Sequence, residues 1–295
     1  DNVEVEENKD KRKAVSVVWS PDSKKFAMVR SDQRKVKDLW VINNTANPRP
    51  TLETYKYGMP GEADQAVAHL LVFDFESKSQ MEIPAEAFKD QDISIARAPR
   101  LKRNRDDELR PSLWLAETAD KLYFTRRSRD RKRQDFLVAN TETGELDTII
   151  QERLNTYLDR RYNFPGMVNN GAEWIHWSER DGWGHFYLYD GEGNLKNQIT
   201  SGPYHTEEIA GIDEDNRVLY FIANGREAGE DPYYQHLYRV NFDGTGLKLL
   251  NEGNFNHSVS LNDNTRYFVN NFSRVNTTPQ AELFDNQGNK LLDLE

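Results

Sequence analysis

Short stretches of alternating apolar and polar residues run along most of this chain, and the clearest is EWIHWSERDGWGHFYLYDG, residues 173–191. An Asp181 and Gly182 pair separates two alternating runs within it. Alternation with a period of two is typical of half-buried β-strands, and an Asp-Gly pair between two such runs is typical of a turn. The segment therefore predicts a strand, a turn and a second strand.

The same hairpin pattern occurs five times along the chain. The copies read HLLVFDFESKSQMEI, DFLVANTETGELDTII, HFYLYDGEGNLKNQIT, HLYRVNFDGTGLKLL and AELFDNQGNKLLDL. Their turn residues lie 66, 50, 53 and 42 positions apart, at Asp74, Asn140, Asp190, Asp243 and Asp285. A repeat of about 40–50 residues containing four strands is typical of propeller blades. The sequence therefore predicts an all-β protein, a β-propeller of four-stranded antiparallel blades with about five blades present.

Three stretches depart from this pattern. Residues 1–13 carry almost no apolar side chains, so we expect a flexible charged lead-in before a partial propeller domain at residues 14–295. A strand is predicted at residues 39–43. The three prolines and two glycines of residues 44–65 predict that this segment leaves the regular sheet as a loop or excursion. In residues 148–161 the apolar positions follow a helical spacing, which predicts a short helix linking two blades.

Composition excludes several classes of function. The net charge of -10 opposes nucleic-acid binding, which needs a dominant basic face. The sequence contains neither a long apolar run nor a leader pattern, so we expect no membrane span in this chain and a mature or excised N-terminus. The absence of cysteine excludes disulfides, thiolate metal sites and a cysteine nucleophile.

Searching for catalytic chemistry yields no nucleophile and no metal site. The six histidines are scattered and form no HExxH pair, and His185 and His236 occupy equivalent positions in two repeats, which favours a structural role for both. The spacing of a nucleophile elbow occurs only at Gly225 and Gly229, which bracket Glu227 rather than a serine. We predict no catalytic residue, no metal and no cofactor.

Two kinds of charge cluster are candidates for ligand binding. Adjacent carboxylates, which bind a cationic amine by charge-assisted hydrogen bonds, occur at Glu6 and Glu7 and at Glu207 and Glu208, although chance pairs are expected among 49 acidic residues. Residues 126–133, RRSRDRKR, have six cations in eight positions, which would suit an acidic ligand. A solvated hairpin tip, with Asp106, Asp107 and Glu108 as ionic partners, is the favoured interpretation.

Longer motifs resemble one family. WSERDGWGHFYLYDGEGNLKNQITSG at residues 177–202 resembles the strand-turn-strand signature in the N-terminal β-propeller of the dipeptidyl peptidase IV family, which are prolyl-oligopeptidase-type serine peptidases. Segments 19–30, 54–74, 122–145 and 257–283 are similar to further motifs of that propeller in the same order. Segment 54–74 departs from the family at Glu62, Ala63 and Asp64, where an Asn and Pro pair is usual. The resemblance covers residues 14–295.

The resemblance implies a function. In the family an eight-bladed propeller precedes an α/β-hydrolase domain with a Ser, Asp, His triad, and this chain resembles the later blades only. It implies a substrate-gating and substrate-orienting propeller domain without the catalytic hydrolase domain, expected to be inactive alone. The implied partners are a peptide substrate, the hydrolase domain of the same full-length chain and, as a further candidate, a second copy in a homodimer. The implied location is periplasmic or extracellular.

The resemblance also implies a substrate site. The family propeller holds the free amino terminus of the substrate with a Glu pair, and Glu6 and Glu7 match it, 13 and 12 residues before Trp19. The family's apolar and aromatic sequel is replaced here by residues 8–11, NKDK.

A substrate-facing Arg and aromatic pair of a later family blade maps to Arg160, Tyr162 and Phe164. The alternative function is a non-enzymatic β-propeller module that binds a protein partner through its loops and residues 44–65.

Overall fold

The computed structural model describes residues 15–99, 111–159 and 164–294. The chain divides into two compact units, residues 1–158 and 159–295. The described residues form β-strands and one short 3₁₀ turn, Asn169–Gly171, and contain no α-helix. The predicted all-β class is therefore confirmed.

The first unit contains two four-stranded sheets and a separate hairpin. Its strands are β1 (Val18–Trp19), β2 (Lys25–Asp32), β3 (Asp38–Asn43), β4 (Thr51–Lys56), β5 (Val67–Asp74), β6 (Gln80–Ile83), β7 (Asp92–Ile95), β8 (Lys121–Arg127), β9 (Arg133–Asn140) and β10 (Leu146–Arg153). The sheet orders are β1-β2-β5-β6 for blade one and β7-β8-β9-β10 for blade two, with β3-β4 apart from both. All these pairs are antiparallel.

The second unit contains three four-stranded sheets. Its strands are β11 (Gly166–Val168), β12 (Glu173–Ser178), β13 (His185–Asp190), β14 (Leu195–Gln198), β15 (His205–Asp213), β16 (Val218–Asn224), β17 (Gln235–Asn241), β18 (Lys248–Leu249), β19 (Asn256–Leu261), β20 (Tyr267–Arg274), β21 (Thr277–Asp285) and β22 (Lys290–Asp293). Blades three, four and five each pair four consecutive strands in sequence order. Five blades are thus present in the described residues, as predicted.

The predicted turn residues close the third strand of every blade. The Oδ1 atom of Asp190 accepts hydrogen bonds from the amides of Glu192 and Asn194, at 3.0 and 2.8 Å. Asn140 and Asp285 accept the same kind of bond from the residues that follow them. A side-chain oxygen that binds the backbone two residues ahead stabilises a tight turn, which is why Asp and Asn recur at this position. The pKa of Asp190 is lowered by its hydrogen bonds. The largest contribution comes from the side chain of Asn194 and the next from the Asn194 amide.

The excursion from blade one contains more regular structure than the sequence predicted. The strand expected at residues 39–43 exists as β3, but it pairs with β4 in a two-stranded sheet outside the blade. Residues 44–65 do leave the blade, as predicted, but Thr51–Lys56 within them forms the strand β4 rather than a loop. Pro48 and Pro50 lie in the connection between the two strands, so neither removes a ladder hydrogen bond.

The helix predicted across residues 148–161 is wrong. Leu146–Arg153 is strand β10, paired along its length with β9. A β-bulge between Thr148 and Ile150 shifts the register, and Ile149 and Ile150 are both buried. A bulge inserts one extra residue and breaks the period of two. The broken alternation therefore imitated helical spacing.

The core of the second unit lies between successive sheets. In β16, Leu219, Phe221 and Ala223 join a buried cluster with residues of β12 and β13. The alternate residues Val218, Tyr220 and Ile222 join a second cluster that contains Phe268 of β20. A strand buried on both faces needs apolar side chains at every position, which explains the unbroken run VLYFIA.

Candidate functional site

Of the five predicted site residues, Phe164 alone lies within the described part of the chain. We use the term leading edge for the end of a sheet at which its first strand begins. Because neighbouring strands are antiparallel, the second strand ends at the leading edge and the third strand begins there. Phe164 is half-buried and lies two residues before β11, at the leading edge of blade three. Glu6 and Glu7 precede β1 in the chain and, like Arg160 and Tyr162, lie outside the described residues.

A close approach of two first strands fixes the segment that carries Phe164. A Cβ atom at Gly166 would lie 2.9 Å from the Cδ1 of Ile212 and 3.0 Å from the Cδ1 of Ile209, both in β15. Only glycine leaves room for this contact without movement of the isoleucines. The backbone that follows Phe164 is therefore held against the first strand of blade four.

Trp177 joins the leading edges of blades three and four. Its indole Nε1 donates to the carbonyl oxygen and to the Oγ1 of Thr206, both at 3.0 Å, and the Thr206 hydroxyl donates to the carbonyl of Gly184 at 2.8 Å. The ring of His205 stands edge-on to the indole, with centroids 5.7 Å apart. Trp174 of the same strand is also buried, whereas Trp183 in the following turn is 45% exposed.

His185 has the structural role expected from its repeat position. The His185 ring is buried; Nε2 lies 2.9 Å from the carbonyl of Gly202, and Nδ1 lies 3.1 Å from the Oγ1 of Thr200. Because the carbonyl accepts only, the neutral tautomer carries its proton on Nε2 and accepts from the Thr200 hydroxyl. Burial is the main cause that lowers the pKa of His185, which favours this neutral form.

The equivalent His236 belongs to a buried polar network at the leading edges of blades four and five. Its Nδ1 lies 3.0 Å from the carbonyl of Asn251 and its Nε2 lies 2.8 Å from the Oε2 of Glu230. The ring of His257 lies 4.7 Å from it, centroid to centroid, and bonds to the Oδ1 of Asn270 through Nδ1. Burial lowers the pKa of His257 most strongly. Every partner tethers a loop or strand, so this network also stabilises the fold.

A charged pair covers aromatic rings beside the same edge. Glu227 accepts a hydrogen bond from the hydroxyl of Tyr238 at 3.0 Å and another from the guanidinium of Arg226 at 2.6 Å. The guanidinium lies over the rings of Tyr204 and Tyr238. Burial, followed by the charge of Glu227, raises the pKa of Tyr238. The sequence indicated Glu227 only by its flanking glycines.

The second carboxylate pair is not equally buried. Glu207 is half-buried and its Oε1 lies 3.8 Å from the Nε2 of His205, whereas Glu208 is exposed.

Residues 126–133 were predicted to be a solvated tip, and this is wrong for the two arginines at its start. Arg126 is largely enclosed and Arg127 is buried. The proposed partners Asp106, Asp107 and Glu108 lie outside the described residues.

The ionic partner of Arg126 is a residue that sequence reasoning missed. Asp135 is 1% exposed, and its two oxygens accept hydrogen bonds from the Nε of Arg126 at 2.8 Å and from the Nη2 of Arg153 at 2.5 Å. The available signal was an acidic residue within an otherwise apolar strand, QDFLVA. Burial of a carboxylate requires such partners.

The described residues contain neither a metal-binding cluster nor a membrane-spanning helix. Residues 15–99, 111–159 and 164–294 contain no cluster of three or more His, Asp or Glu side chains suited to a metal ion. No helix within these ranges is long and apolar enough to cross a membrane.

Known proteins with similar sequences and folds are peptidases. Dipeptidyl peptidase 4 of Arthroderma otae is 24% identical over 223 residues, covering 73% of this chain and 26% of that protein. Dipeptidyl peptidase 4 of Trichophyton rubrum is 23% identical over 228 residues, covering 75% and 27%. This chain thus spans about a quarter of the length of these curated relatives.

The fold is shared with a solved peptidase structure. The crystal structure of Porphyromonas gingivalis dipeptidyl peptidase 4 superposes with a TM-score of 0.75 at 22% identity, covering 95% of this chain and 36% of that one. The predicted β-propeller of four-stranded blades is therefore confirmed. The model of the family described as the dipeptidyl peptidase IV (DPP IV) N-terminal region matches residues 6–279, which is most of the chain, and the chain therefore belongs to this family.

Proposed function

We propose that this chain is the substrate-gating and substrate-orienting propeller domain of a dipeptidyl peptidase IV-like serine peptidase. The observation that carries the proposal is the family match across residues 6–279. Catalysis in the full-length protein is acyl transfer by the triad of an α/β-hydrolase domain. The propeller restricts access to that domain and holds the peptide in one orientation, which lowers the entropic part of the barrier.

The family match supports this choice of candidate residues, because residues 6–279 include all five of them. In the proposed site Glu6 and Glu7 hold the substrate ammonium by charge-assisted hydrogen bonds. Arg160 donates a hydrogen bond to the adjacent peptide carbonyl oxygen, and Tyr162 and Phe164 provide the aromatic wall.

The test is a matched pair of double substitutions in the full-length protein. Changing Glu6→Gln together with Glu7→Gln is expected to lower kcat/KM for dipeptide substrates. The loss of transition-state stabilisation should be about 1–3 kcal/mol for each carboxylate. Changing Glu207→Gln together with Glu208→Gln removes the same charge from the other pair and is expected to leave kcat/KM within about twofold. An unchanged kcat/KM in the first variant removes Glu6 and Glu7 from the site.

A second candidate function, a protein-interaction module, is favoured by the β3–β4 hairpin. Ile42 pairs with Leu52, and Trp40 lies two residues along the same face of β3. These three side chains are 64%, 65% and 71% exposed. A cluster of large exposed apolar side chains is typical of a surface that another protein covers. The partner would be a protein with an apolar face, and a second copy of the chain is one candidate.

Sedimentation velocity tests this candidate. The double substitution of Trp40→Lys and Ile42→Lys is expected to abolish self-association, whereas Glu53→Lys, on the other face of the hairpin, is expected to leave it unchanged. A wild-type protein that is monomeric at every concentration excludes the homodimer. The coding sequence after Glu295 separates the two functions, because the peptidase requires a Gly-x-Ser-x-Gly motif there.

A further inference from the structure

A cleft of about 460 Å³ lies at the leading edges of blades one and two, at the base of the β3–β4 hairpin. Its walls come from β2, from the segment between β4 and β5, from the start of β7 and from the β8–β9 turn. Its size falls in the range of about 300–1,000 Å³ typical of small-ligand sites. The charged and amide side chains that line it are Lys56, Gln65, Asp90, Asp92, Arg129 and Arg131, with Gln33 and Gln91.

Arg131 has a hydrogen-bond donor with no acceptor in the described part of the protein. Its Nη2 binds the Oδ2 of Asp92 at 2.8 Å, but its Nη1 is buried and finds no partner among the described residues. A buried donor without a partner is unfavourable, because it has lost its hydrogen bonds to water and gained none in return. An oxygen of a ligand in the cleft would remove this cost. The turn is fixed, because the backbone of Arg131 bonds to Ser128 and Leu158.

Arg129 provides a second guanidinium in the same cleft. Its Nη1 donates to the Oε1 of Gln65, which is a neutral acceptor, and no carboxylate of the described residues lies within salt-bridge distance of it. The side chain is exposed at the mouth of the cleft. Because no carboxylate among the described residues neutralises its positive charge, Arg129 attracts an anion.

Gln65 is held in a fixed position, so the wall beside Arg129 is preformed. It is 8% exposed, and its Nε2 donates to the carbonyls of Met59 and Glu62 at 3.0 and 3.2 Å. A Cβ atom at residue 58 would overlap the Oε1 of Gln65, so this arrangement requires the glycine found there. A preformed wall reduces the ordering entropy that a ligand must overcome.

The charges of the cleft limit the charge of the anion that it can bind. Lys56 is paired with Asp38 at 3.0 Å, and among the remaining lining residues Arg129 and Arg131 are balanced by Asp90 and Asp92. The cleft therefore has no excess of positive charge, and the net charge of the protein is -10. A polyanion such as a nucleic acid would be repelled by this surface. A single carboxylate matches the forked geometry of guanidinium.

We propose that this cleft binds one carboxylate of a peptide, which accepts hydrogen bonds from the Nη1 of Arg131 and from the guanidinium of Arg129. The carboxylate belongs either to a peptide C-terminus or to an acidic side chain. The residues that line this site do not include Glu6 or Glu7, and the proposal does not depend on peptidase activity.

Three N-acetylated tripeptides test the proposal with the full-length protein. One is Ac-Ala-Ala-Gln with a free C-terminal carboxylate, one is Ac-Ala-Ala-Glu amide with a side-chain carboxylate, and the third is the neutral Ac-Ala-Ala-Gln amide. Acetylation removes the ammonium group that Glu6 and Glu7 are proposed to hold. Failure of that proposed site therefore leaves this measurement unaffected. Isothermal titration calorimetry is expected to detect binding of a carboxylate peptide and not of the neutral one.

Substitutions within one turn provide the controls. Arg131→Gln is expected to raise the Kd of the bound peptide about tenfold, the effect of one charge-assisted hydrogen bond. Lys132→Gln removes the same charge from the exposed neighbour, which does not line the cleft, and is expected to change the Kd less than about twofold. Binding of only one carboxylate peptide identifies the C-terminus or the side chain as the source.

Equal binding of all three peptides, no binding of any, or equal effects of Arg131→Gln and Lys132→Gln would overturn the proposal. The unfolding midpoint of Arg131→Gln shows whether that variant is folded. If Arg131→Gln is not folded, Arg129→Gln, at an exposed position, replaces it, and its effect on the Kd is compared with that of Lys132→Gln.

Discussion

The carboxylate of Asp135 and the guanidinium of Arg126 form a buried ion pair between neighbouring strands of blade two. The Nε of Arg126 donates to the Oδ2 of Asp135 at 2.8 Å, and the Asp135 side chain is 1% exposed. Arg153 approaches the other carboxylate oxygen from β10. The pair thus connects β8, β9 and β10 where an apolar residue would be expected.

Removing the charge of Asp135 is expected to destabilise the first unit. Asp135→Asn leaves the enclosed guanidinium of Arg126 without its anion, a change that costs about 3 kcal/mol, at the lower end of values for buried pairs because Arg153 is 39% exposed. Urea unfolding measures the effect. Asp147→Asn, an exposed carboxylate on β10, is the control and should change the unfolding free energy by less than about 0.5 kcal/mol. Equal effects of the two substitutions would mean that the ion pair is energetically neutral.

Trp177→Phe is expected to weaken the contact between blades three and four. The variant loses the donor that binds the carbonyl and hydroxyl oxygens of Thr206, which stays buried, so the unfolding free energy should fall by about 2 kcal/mol. Trp183→Phe is the matched control because Trp183 is 45% exposed, and its effect should stay within about 0.5 kcal/mol. Guanidinium denaturation of the three proteins tests the difference, and two equal shifts would contradict it.

Stability is expected to fall as the pH is lowered below about 6.5, the ordinary pKa of histidine. Burial lowers the pKa of His185 and of His257, so in this window the unfolded state binds more protons than the folded state. Stability therefore rises with pH up to that value and is constant above it with respect to these two groups. The pKa values of Glu173 and Asp190 are lowered from 4.5 and 3.8, so these two groups change the stability only at lower pH.

Substitution of the histidines tests this pH dependence. His257→Gln removes one of the two titrating groups, so the loss of unfolding free energy between pH 7 and pH 5 should be smaller than in the wild type. His236 and Glu230 face His257, and Glu230→Gln removes the anion that opposes the effect of burial. This second variant should show a larger loss. A wild-type protein that becomes more stable on acidification over the same range would contradict the assignment.

The repeated hairpins could be predicted from the sequence because the local chemistry of each turn is self-sufficient. Asp190 and Asp285 bind the backbone of their own turns, so the residue type alone identifies the strand end. The alternation in β19, NHSVSL, depends likewise on a period of two. The helix predicted at residues 148–161 failed because a bulge at Ile149 breaks this period, and a bulge depends on pairing with a partner strand.

Contacts between distant residues could not be predicted in this way. Arg126 and Arg127 read as part of a solvated tip, and their burial depends on Asp135 and on elements far along the chain, such as Ala85 and Phe88. The role of Gly166 is equally hidden, because it depends on β15. The family resemblance rather than the pattern of residues placed Glu6, Glu7, Arg160, Tyr162 and Phe164 in one substrate site, and that placement stays a prediction.

Gly166→Ala is expected to lower the unfolding free energy of the second unit, and this loss should be smaller when Ile212 is also changed to Val. The added Cβ would lie 2.9 Å from the Cδ1 of Ile212, so the isoleucine must move, at a cost of about 1–2 kcal/mol. Ile212→Val deletes that Cδ1 atom and alone costs about 0.5–1.5 kcal/mol.

The double variant should therefore be nearly as stable as Ile212→Val alone, with a small remaining cost from the Cδ1 of Ile209 at 3.0 Å. A double-mutant cycle by urea unfolding measures this coupling. Additive effects would show that the two first strands separate freely at this point. The backbone after Phe164 would then not be held in place by β15, and a preformed aromatic wall at this edge would lose its structural basis.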